Sequence, residues 1–136
     1  MNFRLFSHKH RLYTNSSFWR SNQRSCSDWV ITPEGNVLEI VWFNDRISPF
    51  IKVDHDKQNF SIEAWTGFFD SKGRKIYRGD ILEMASFFDF KSEVIWKEGA
   101  FWLKTLDSEG FDQQFTGLYS KDWTITGNIH NVEFCY

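Results

Sequence analysis

Three groups of side chains have types and spacings that could do chemistry, and the first is a pair of histidines. His8 and His10 are separated by one residue, so an extended backbone would place both imidazoles on one face, as paired metal ligands require. Tetrahedral zinc needs a third and usually a fourth ligand, and Cys26 has no C-x-x-C companion. We therefore interpret the pair as part of a solvent-facing basic segment and predict no metal site.

The other two groups contain carboxylates, which general acid–base catalysis uses. The run Asp54-His55-Asp56 resembles a carboxylate–imidazole pair, but it lies in a polar stretch that we interpret as a solvated loop. Asp80 and Glu83 are three residues apart, so on a strand they share a face poorly. No G-x-S-x-G, H-E-x-x-H or Walker motif is present, and glycines six residues apart do not form a phosphate cradle. The sequence predicts a protein that is not an enzyme and binds no cofactor.

Composition indicates a folded domain with an uneven distribution of charge. The 136 residues carry a net charge of −2, and aromatic residues make up 19% of them. A chain of this size typically forms one domain, and its balanced charge weakens a general nucleic-acid-binding hypothesis. Residues 1–24 contain no acid, and their cations are Arg4, Lys9, Arg11, Arg20 and Arg24. We interpret this segment as a solvated basic arm, and a docking patch for an acidic partner is the alternative.

Cysteine content and hydropathy bear on the compartment. Cys26 and Cys135 lie far apart in sequence, which favours reduced thiols in the cytosol, although a single long-loop disulfide remains the alternative. The first ten residues lack the apolar run of a secretory signal, and no stretch is apolar enough to span a membrane. We expect a soluble, cytoplasmic protein.

Alternating apolar residues and turn signals predict strands throughout the chain. One hairpin is predicted from strands 28–32 and 37–43 joined by residues 33–36, and a second from strands 93–96 and 100–105. Further strands are predicted near residues 50–53, 60–65, 82–84, 123–126 and 128–134, with the last two joined at Gly127. Turns are expected at residues 44–45 and 107–110, and the only helical candidate is the stretch 15–25. The pattern predicts an all-β barrel or sandwich with at most one short helix.

The most informative segment is residues 62–82, IEAWTGFFDSKGRKIYRGDIL. A strand leads into the turn-rich residues 70–73, then a short apolar pair, the break Gly79-Asp80 and a new strand. Gly67, Gly73 and Gly79 stand where the backbone must turn sharply, because glycine reaches positive φ at little cost. We expect Asp80 to accept hydrogen bonds from turn amides. This segment, called the corner below, is predicted to build the bend of a small barrel rather than a catalytic site.

The corner also carries a resemblance to a known family. Phe3-Arg4, Thr66-Gly67 with residues 70–81, residues 93–96 and residues 127–130 occur in the order found in the YopX-like proteins of bacteriophages and prophages. The central motif of that family reads like YTGLKDKNGKEIYEGDIV, followed by VIW and a closing IGNIY. Departures are Ser7, where the family has an acidic residue, and residues 85–90, which have no recognised counterpart. The resemblance implies a phage or prophage gene and an SH3-like barrel over residues 62–136, preceded by a strand, basic segment and hairpin over 1–61. It implies no established activity.

Exposed aromatic residues are the best sequence candidates for a binding surface. Consecutive aromatics in a strand connection cannot all enter one core, because neighbours alternate faces. The candidates are Phe87, Phe88, Asp89 and Phe90, together with Trp42 and Phe43. The alternatives are that the Phe87–Phe90 stretch packs against the N-terminal segment and that Trp42 and Phe43 form an oligomer interface or an internal lid.

Three functional hypotheses follow from these observations. The leading one is a phage-encoded protein of the host cytoplasm that binds a host protein, plausibly a component of bacterial immunity such as CRISPR-Cas, and inhibits it sterically. The second is nucleic-acid binding through Arg74, Lys75 and Arg78, because small barrels can present aromatics beside basic side chains. The third is a self-assembling structural protein.

Overall fold

A computed structural model describes residues 3–14, 26–42, 51–84, 91–106, 112–117 and 120–134, with only the backbone described at 26–28, 40–42, 51–55 and 57. Within these ranges the secondary structure consists of strands and two short 3₁₀ helices, Lys57–Asn59 and Ser120–Asp122. No helix of the described residues is long and apolar enough to cross a membrane. The strands are β1 Phe3–Ser7, β2 Leu12–Tyr13, β3 Cys26–Ile31, β4 Val37–Trp42, β5 Ile51–His55, β6 Phe60–Phe69, β7 Lys75–Tyr77, β8 Asp80–Met84, β9 Lys91–Lys97, β10 Ala100–Thr105, β11 Gln113–Gln114 and β12 Trp123–Asn128.

The strands form three sheets, which confirms the all-β prediction. Their orders are β2-β1-β6-β7, β11-β10-β9-β8-β12 and β3-β4-β5. Neighbouring strands are antiparallel throughout the five-stranded and three-stranded sheets. The SH3-like closure of the barrel stays a prediction. The helix predicted at 15–25 and the turns predicted at 44–45 and 107–110 lie outside the described residues.

The chain divides into two compact units. The first contains Arg4 and the segment Glu63–Val132, and the second contains Leu5–Ile62 and the residues that begin at Glu133. Strands β1 and β6 each contribute residues to both units. The predicted division into domains 1–61 and 62–136 stays a prediction.

Both predicted hairpins are confirmed. Strands β3 and β4 pair in register from Cys26 opposite Trp42 to Ile31 opposite Val37. Strands β9 and β10 are joined by Glu98 and Gly99, whose φ angles are 52° and 75°. Positive φ at both central residues is the mark of a type I′ turn, which matches the right-handed twist of the strands it joins.

The first unit has an apolar core built by the five-stranded sheet and the corner. Phe68, Met84 and Phe101 pack partly buried against it. In β9 and β10 the buried residues alternate with more exposed ones, and Val94 lies directly opposite Leu103. The fully enclosed members of the core are Ile76, Leu82, Val94, Leu103, Phe115, Trp123 and Ile125.

The second unit is held largely by aromatic rings. Phe6 and Tyr13 are fully buried, and their ring centroids are 5.3 Å apart in an edge-to-face arrangement. Tyr13 also meets Phe134 at 4.9 Å, and Trp29 meets Phe60 at 5.6 Å. Edge-to-face pairs of this kind add to the free energy gained by burying the rings.

Two strand boundaries differ from the sequence prediction. The two predicted strands joined at Gly127 are instead one strand, β12, which passes through Gly127 and ends at Asn128. Thr126 is the extra residue of a β-bulge, because Ile125 pairs with Leu82 and Gly127 pairs with Ile81. The prediction of a strand at 128–134 was therefore wrong. Gly127 follows a bulge within β12 and does not end the strand, and a turn follows Asn128.

Candidate interaction surfaces and the buried charges of the corner

Asp70 organises the turn at the tip of the corner. Its Oδ1 accepts hydrogen bonds from the backbone N–H groups of Lys72 at 2.9 Å and Arg74 at 2.8 Å. Its Oδ2 accepts from the Ile125 N–H at 3.1 Å and from Nε of Arg74 at 3.0 Å. Desolvation by burial raises the pKa of Asp70, but these backbone and Arg74 hydrogen bonds outweigh it, so the pKa lies below its ordinary value. The carboxylate is thus held ionised as a structural element.

The same turn covers the outer edge of β12. The Ser71 N–H donates to the Trp123 carbonyl at 2.8 Å, and Nη2 of Arg74 donates to the Ile125 carbonyl at 2.7 Å. The Ser71 hydroxyl also lies 2.6 Å from that of Thr124. Because these contacts use the polar groups that a sheet edge would offer to another strand, the corner protects the edge from unwanted pairing.

A second charged cluster is centred on Arg4, which is only 2% exposed. Its Nε donates to Oε2 of Glu63 at 2.5 Å, its Nη1 to Oδ1 of Asp80 at 2.7 Å and its Nη2 to the Arg78 carbonyl at 3.3 Å. The guanidinium carbon also lies 5.0 Å from the centroid of the Tyr77 ring. The expectation of a solvated basic arm was therefore wrong for Arg4, because β1 places it against two buried carboxylates.

Asp80 and Glu63 each have a further partner. Oδ2 of Asp80 accepts the Tyr77 N–H at 2.8 Å, which confirms that Asp80 binds a turn amide. Oε1 of Glu63 lies 2.7 Å from Nε2 of His130. Desolvation raises the pKa of Tyr77, with the Arg4 charge acting against this shift and the Asp80 charge adding to it. We call Arg4, Glu63, Asp80 and His130 the Arg4 network.

The Arg4 network has the composition of a catalytic site but the geometry of a structural one. Glu63 and Asp80 are 3% and 0% exposed, and their oxygens are directed at partners inside the protein. Gly79, at a φ of 90°, brings its backbone so close that a Cβ there would lie 3.0 Å from Oε1 of Glu63. The Glu63 carboxylate is thus packed closely against the backbone of Gly79. Sequence analysis missed this cluster, although a lone arginine among apolar residues of a strand was a signal.

The residues predicted for nucleic-acid contact differ in their availability. Arg74 forms the Asp70 ion pair at 2.9 Å, and the ammonium group of Lys75 lies 4.6 Å from the centroid of the Trp65 ring. Arg78 has an exposed side chain. All three residues thus lie on the corner, but the guanidinium of Arg74 is already engaged by the Asp70 carboxylate.

The residues predicted for partner binding are mostly beyond what the structure describes. Phe87, Phe88, Asp89, Phe90 and Phe43 lie outside the described residues, and only the backbone of Trp42 is described, at the end of β4. Their role stays a prediction.

An aromatic surface that the sequence analysis did not single out lies at the tip of the β9–β10 hairpin. Trp96 is 50% exposed and stands directly opposite Phe101, with the ring centroids 4.7 Å apart in an edge-to-face contact. On the hairpin, Nζ of Lys97 lies 4.5 Å from the centroid of the Trp102 ring and 3.1 Å from Oδ2 of Asp112. Because Phe101 packs on the core, it supports Trp96 from below. The exposed ring is therefore held on a rigid base.

A second exposed aromatic residue lies on the corner. Phe69 is 44% exposed, its ring meets that of Trp65 at 5.5 Å, and it pairs in register with Lys75. Nε1 of Trp65 donates to the Phe68 carbonyl at 3.1 Å, which fixes the indole orientation. The corner thus presents an aromatic pair beside basic side chains.

The remaining candidates for chemistry belong to the second unit. His8 and His10 lie in a turn rather than a strand, and Nε2 of His8 is 2.7 Å from the Ser61 hydroxyl. Asp54 and His55 belong to β5, so the expectation of a loop beginning at Asp54 was wrong; Asp56 accepts the Gln58 N–H at 3.0 Å. Within the described ranges, no three His, Cys, Asp or Glu residues are grouped so that they could hold a metal ion.

Comparisons with known proteins agree with this architecture. The sequence model of the family described as YopX protein matches residues 2–132, and the chain belongs to that family. The protein yopX from Bacillus subtilis is similar in structure, with a TM-score of 0.59 and 14% identity, over 98% of this chain and 100% of that one. The protein EF1440 from Enterococcus faecalis has a TM-score of 0.54 and 20% identity, over 96% of this chain and 93% of that one. No curated protein sequence matches the chain.

Proposed function

We propose that this YopX-family protein is a phage- or prophage-encoded, non-enzymatic interaction protein that binds a host protein and inhibits it sterically. A component of bacterial immunity is the target that fits a protein of such an origin. The observation that carries the proposal is the Trp96–Phe101 pair, an exposed aromatic residue supported by the core. Tryptophan held in this way is the side chain that most often dominates the free energy of protein–protein binding.

The buried charges support a binding role over a catalytic one. Glu63, Asp70 and Asp80 are the carboxylates that the corner could offer for acid–base work. Each is enclosed and hydrogen-bonded to the protein itself. General acid–base catalysis requires such a group to reach a substrate proton, either directly or through one water. The corner instead exposes Phe69, Lys72 and Arg78, side chains that suit recognition.

Affinity capture from a bacterial lysate tests the proposal. The immobilised wild-type protein should retain one protein in near-stoichiometric amount, and the Trp96→Ala variant should lose most of it. Removal of an anchoring tryptophan costs about 2 kcal/mol or more, equivalent to roughly 30-fold in affinity. The Phe87→Ala/Phe88→Ala variant tests in parallel the loop that the sequence singled out.

Two controls make the capture decisive. Lys104 is exposed on β10, the same hairpin strand that carries Phe101, so Lys104→Ala should retain the partner as the wild type does. Light scattering of the purified protein should report a monomer, whereas a concentration-dependent oligomer would favour the self-assembling alternative. Capture of no protein at several salt concentrations, or equal retention by Trp96→Ala, would contradict the proposal.

A further inference from the structure

We propose that the corner, through Phe69, Lys72 and Arg78 together with Trp65 and Lys75, docks an acidic, partly apolar segment of a protein partner. This inference goes beyond the proposed function, because it concerns a surface other than the one that carries Trp96. It is carried by the distribution of charge and exposed aromatic surface on β6, β7 and their connection.

The corner separates its charges so that the cations face solvent. Residues 71–79 contain four cations and no acid. The aspartates at either end, Asp70 and Asp80, are 2% and 0% exposed and are paired with Arg74 and Arg4. Lys72 and Arg78, in contrast, have exposed side chains. The carboxylates at the two ends of the segment are thus directed inward, and the charge that the segment itself exposes is positive.

An apolar contact lies among these basic side chains. Phe69 leaves 44% of its surface exposed and leans edge-on against Trp65, with Lys75 over the indole ring. Lys72 follows Phe69 in the turn, and Arg78 follows β7 at its far end. A short segment that exposes both cations and an aromatic ring complements a peptide in which carboxylates flank a leucine-like side chain. Complementary charge speeds such an encounter and excludes partners of the wrong sign.

The arrangement favours an acidic protein segment over a nucleic acid. Single-stranded nucleic acid binds by stacking its bases on open aromatic faces. The Trp65 ring has the Lys75 ammonium group over its face and the Phe69 ring against it at an interplanar angle of 67°. The net charge of −2 also provides no long-range attraction for a phosphate backbone.

Fluorescence anisotropy with defined probes tests this inference without knowledge of the natural partner. The probes are a labelled peptide of repeating Glu-Glu-Leu, a Glu-Glu-Ser peptide of the same length, and an oligothymidylate of matched charge. At low ionic strength the wild-type protein should bind the Glu-Glu-Leu peptide most tightly. Lys72→Glu/Arg78→Glu should weaken that binding at least about tenfold, because two attractions become repulsions.

A matched double variant controls for net charge. Lys91→Glu/Lys104→Glu reverses two exposed lysines on β9 and β10, outside the corner, so its effect should stay below about twofold, as long-range screened interactions are weak. Phe69→Ser should abolish the preference for Glu-Glu-Leu over Glu-Glu-Ser without changing the binding of the latter. All variants should keep the melting temperature of the wild type.

Several outcomes would overturn the inference. Tighter binding of the oligothymidylate would assign the surface to nucleic acid, and equal weakening by both double variants would reduce it to non-specific attraction. Absence of peptide binding at low ionic strength would also refute it. If the peptide does not bind but a protein captured from the lysate still depends on Trp96, only this inference is refuted. If the peptide binds as expected but no protein is captured from the lysate, only the proposed function is refuted.

Discussion

Replacement of Arg4 by methionine should destabilise the protein strongly. The guanidinium donates to Glu63, Asp80 and the Arg78 carbonyl, and it is 2% exposed. Methionine fills a similar volume but leaves two buried carboxylates without their cation. Removal of one partner from a buried ion pair costs about 3–5 kcal/mol. At this chain length the loss corresponds to a fall in melting temperature of about 10–20 °C.

Thermal and urea unfolding followed by tryptophan fluorescence measure the effect at pH 7. Arg78→Met is the matched control, because Arg78 is exposed and lends only its backbone to the Arg4 network. Its free energy of unfolding should remain within about 0.5 kcal/mol of the wild type.

A double variant tests whether the cost comes from stranded charge. Arg4→Met/Glu63→Gln removes one of the two carboxylates that lose their cation, and a glutamine can still hydrogen-bond His130. It should therefore be more stable than Arg4→Met by about 1 kcal/mol or more. A loss below about 1 kcal/mol for Arg4→Met, or no recovery in the double variant, would refute the reasoning that buried charge pairing holds this part of the fold.

Two further predictions concern the corner and its surroundings. Asp70→Asn should lower the free energy of unfolding by about 1–3 kcal/mol at neutral pH. The pKa of Asp70 is depressed in the folded state, so its ionised carboxylate contributes its full stabilisation at pH values above the unfolded-state pKa of about 3.9. This stabilisation disappears as the pH falls through the folded-state pKa. The stabilities of the two proteins measured between neutral and strongly acidic pH should therefore converge, and a constant difference would contradict this. Gly117→Ala should cost more than Gly67→Ala, although both glycines have positive φ, because only at Gly117 would the Cβ enter a side chain, 2.2 Å from the Phe68 ring. We expect about 1 kcal/mol at Gly67 and at least twice that at Gly117, and urea unfolding that gave equal losses would be inconsistent with the packing.

Local signals made most of the strands predictable. The β9–β10 hairpin follows from Glu98-Gly99 between alternating apolar residues, and Asp80 was correctly expected to accept a turn amide, as aspartate commonly does. Gly127 misled the analysis, since a glycine that breaks a strand and one that follows a bulge look alike in sequence.

The interactions that were missed join residues far apart in the chain. Arg4 and Asp80 are separated by 76 positions, and Glu63 and His130 by 67. No periodicity or turn rule encodes such pairs, because they depend on which strands the fold brings together. The exposure of Trp96 was hidden for a similar reason: it shares a face of β9 with buried Val94, and only its place at the strand end leaves it open to solvent.

We propose that exposed side chains act by binding, while the buried charges of the corner maintain the fold. The most direct test compares the dissociation constants of the wild-type and Trp96→Ala proteins for the captured partner, measured on purified components by biolayer interferometry. We predict a rise of about 30-fold for Trp96→Ala, in a protein that remains folded at the temperature of the assay, and no change for Lys104→Ala. Equal dissociation constants for all three proteins would contradict the claim.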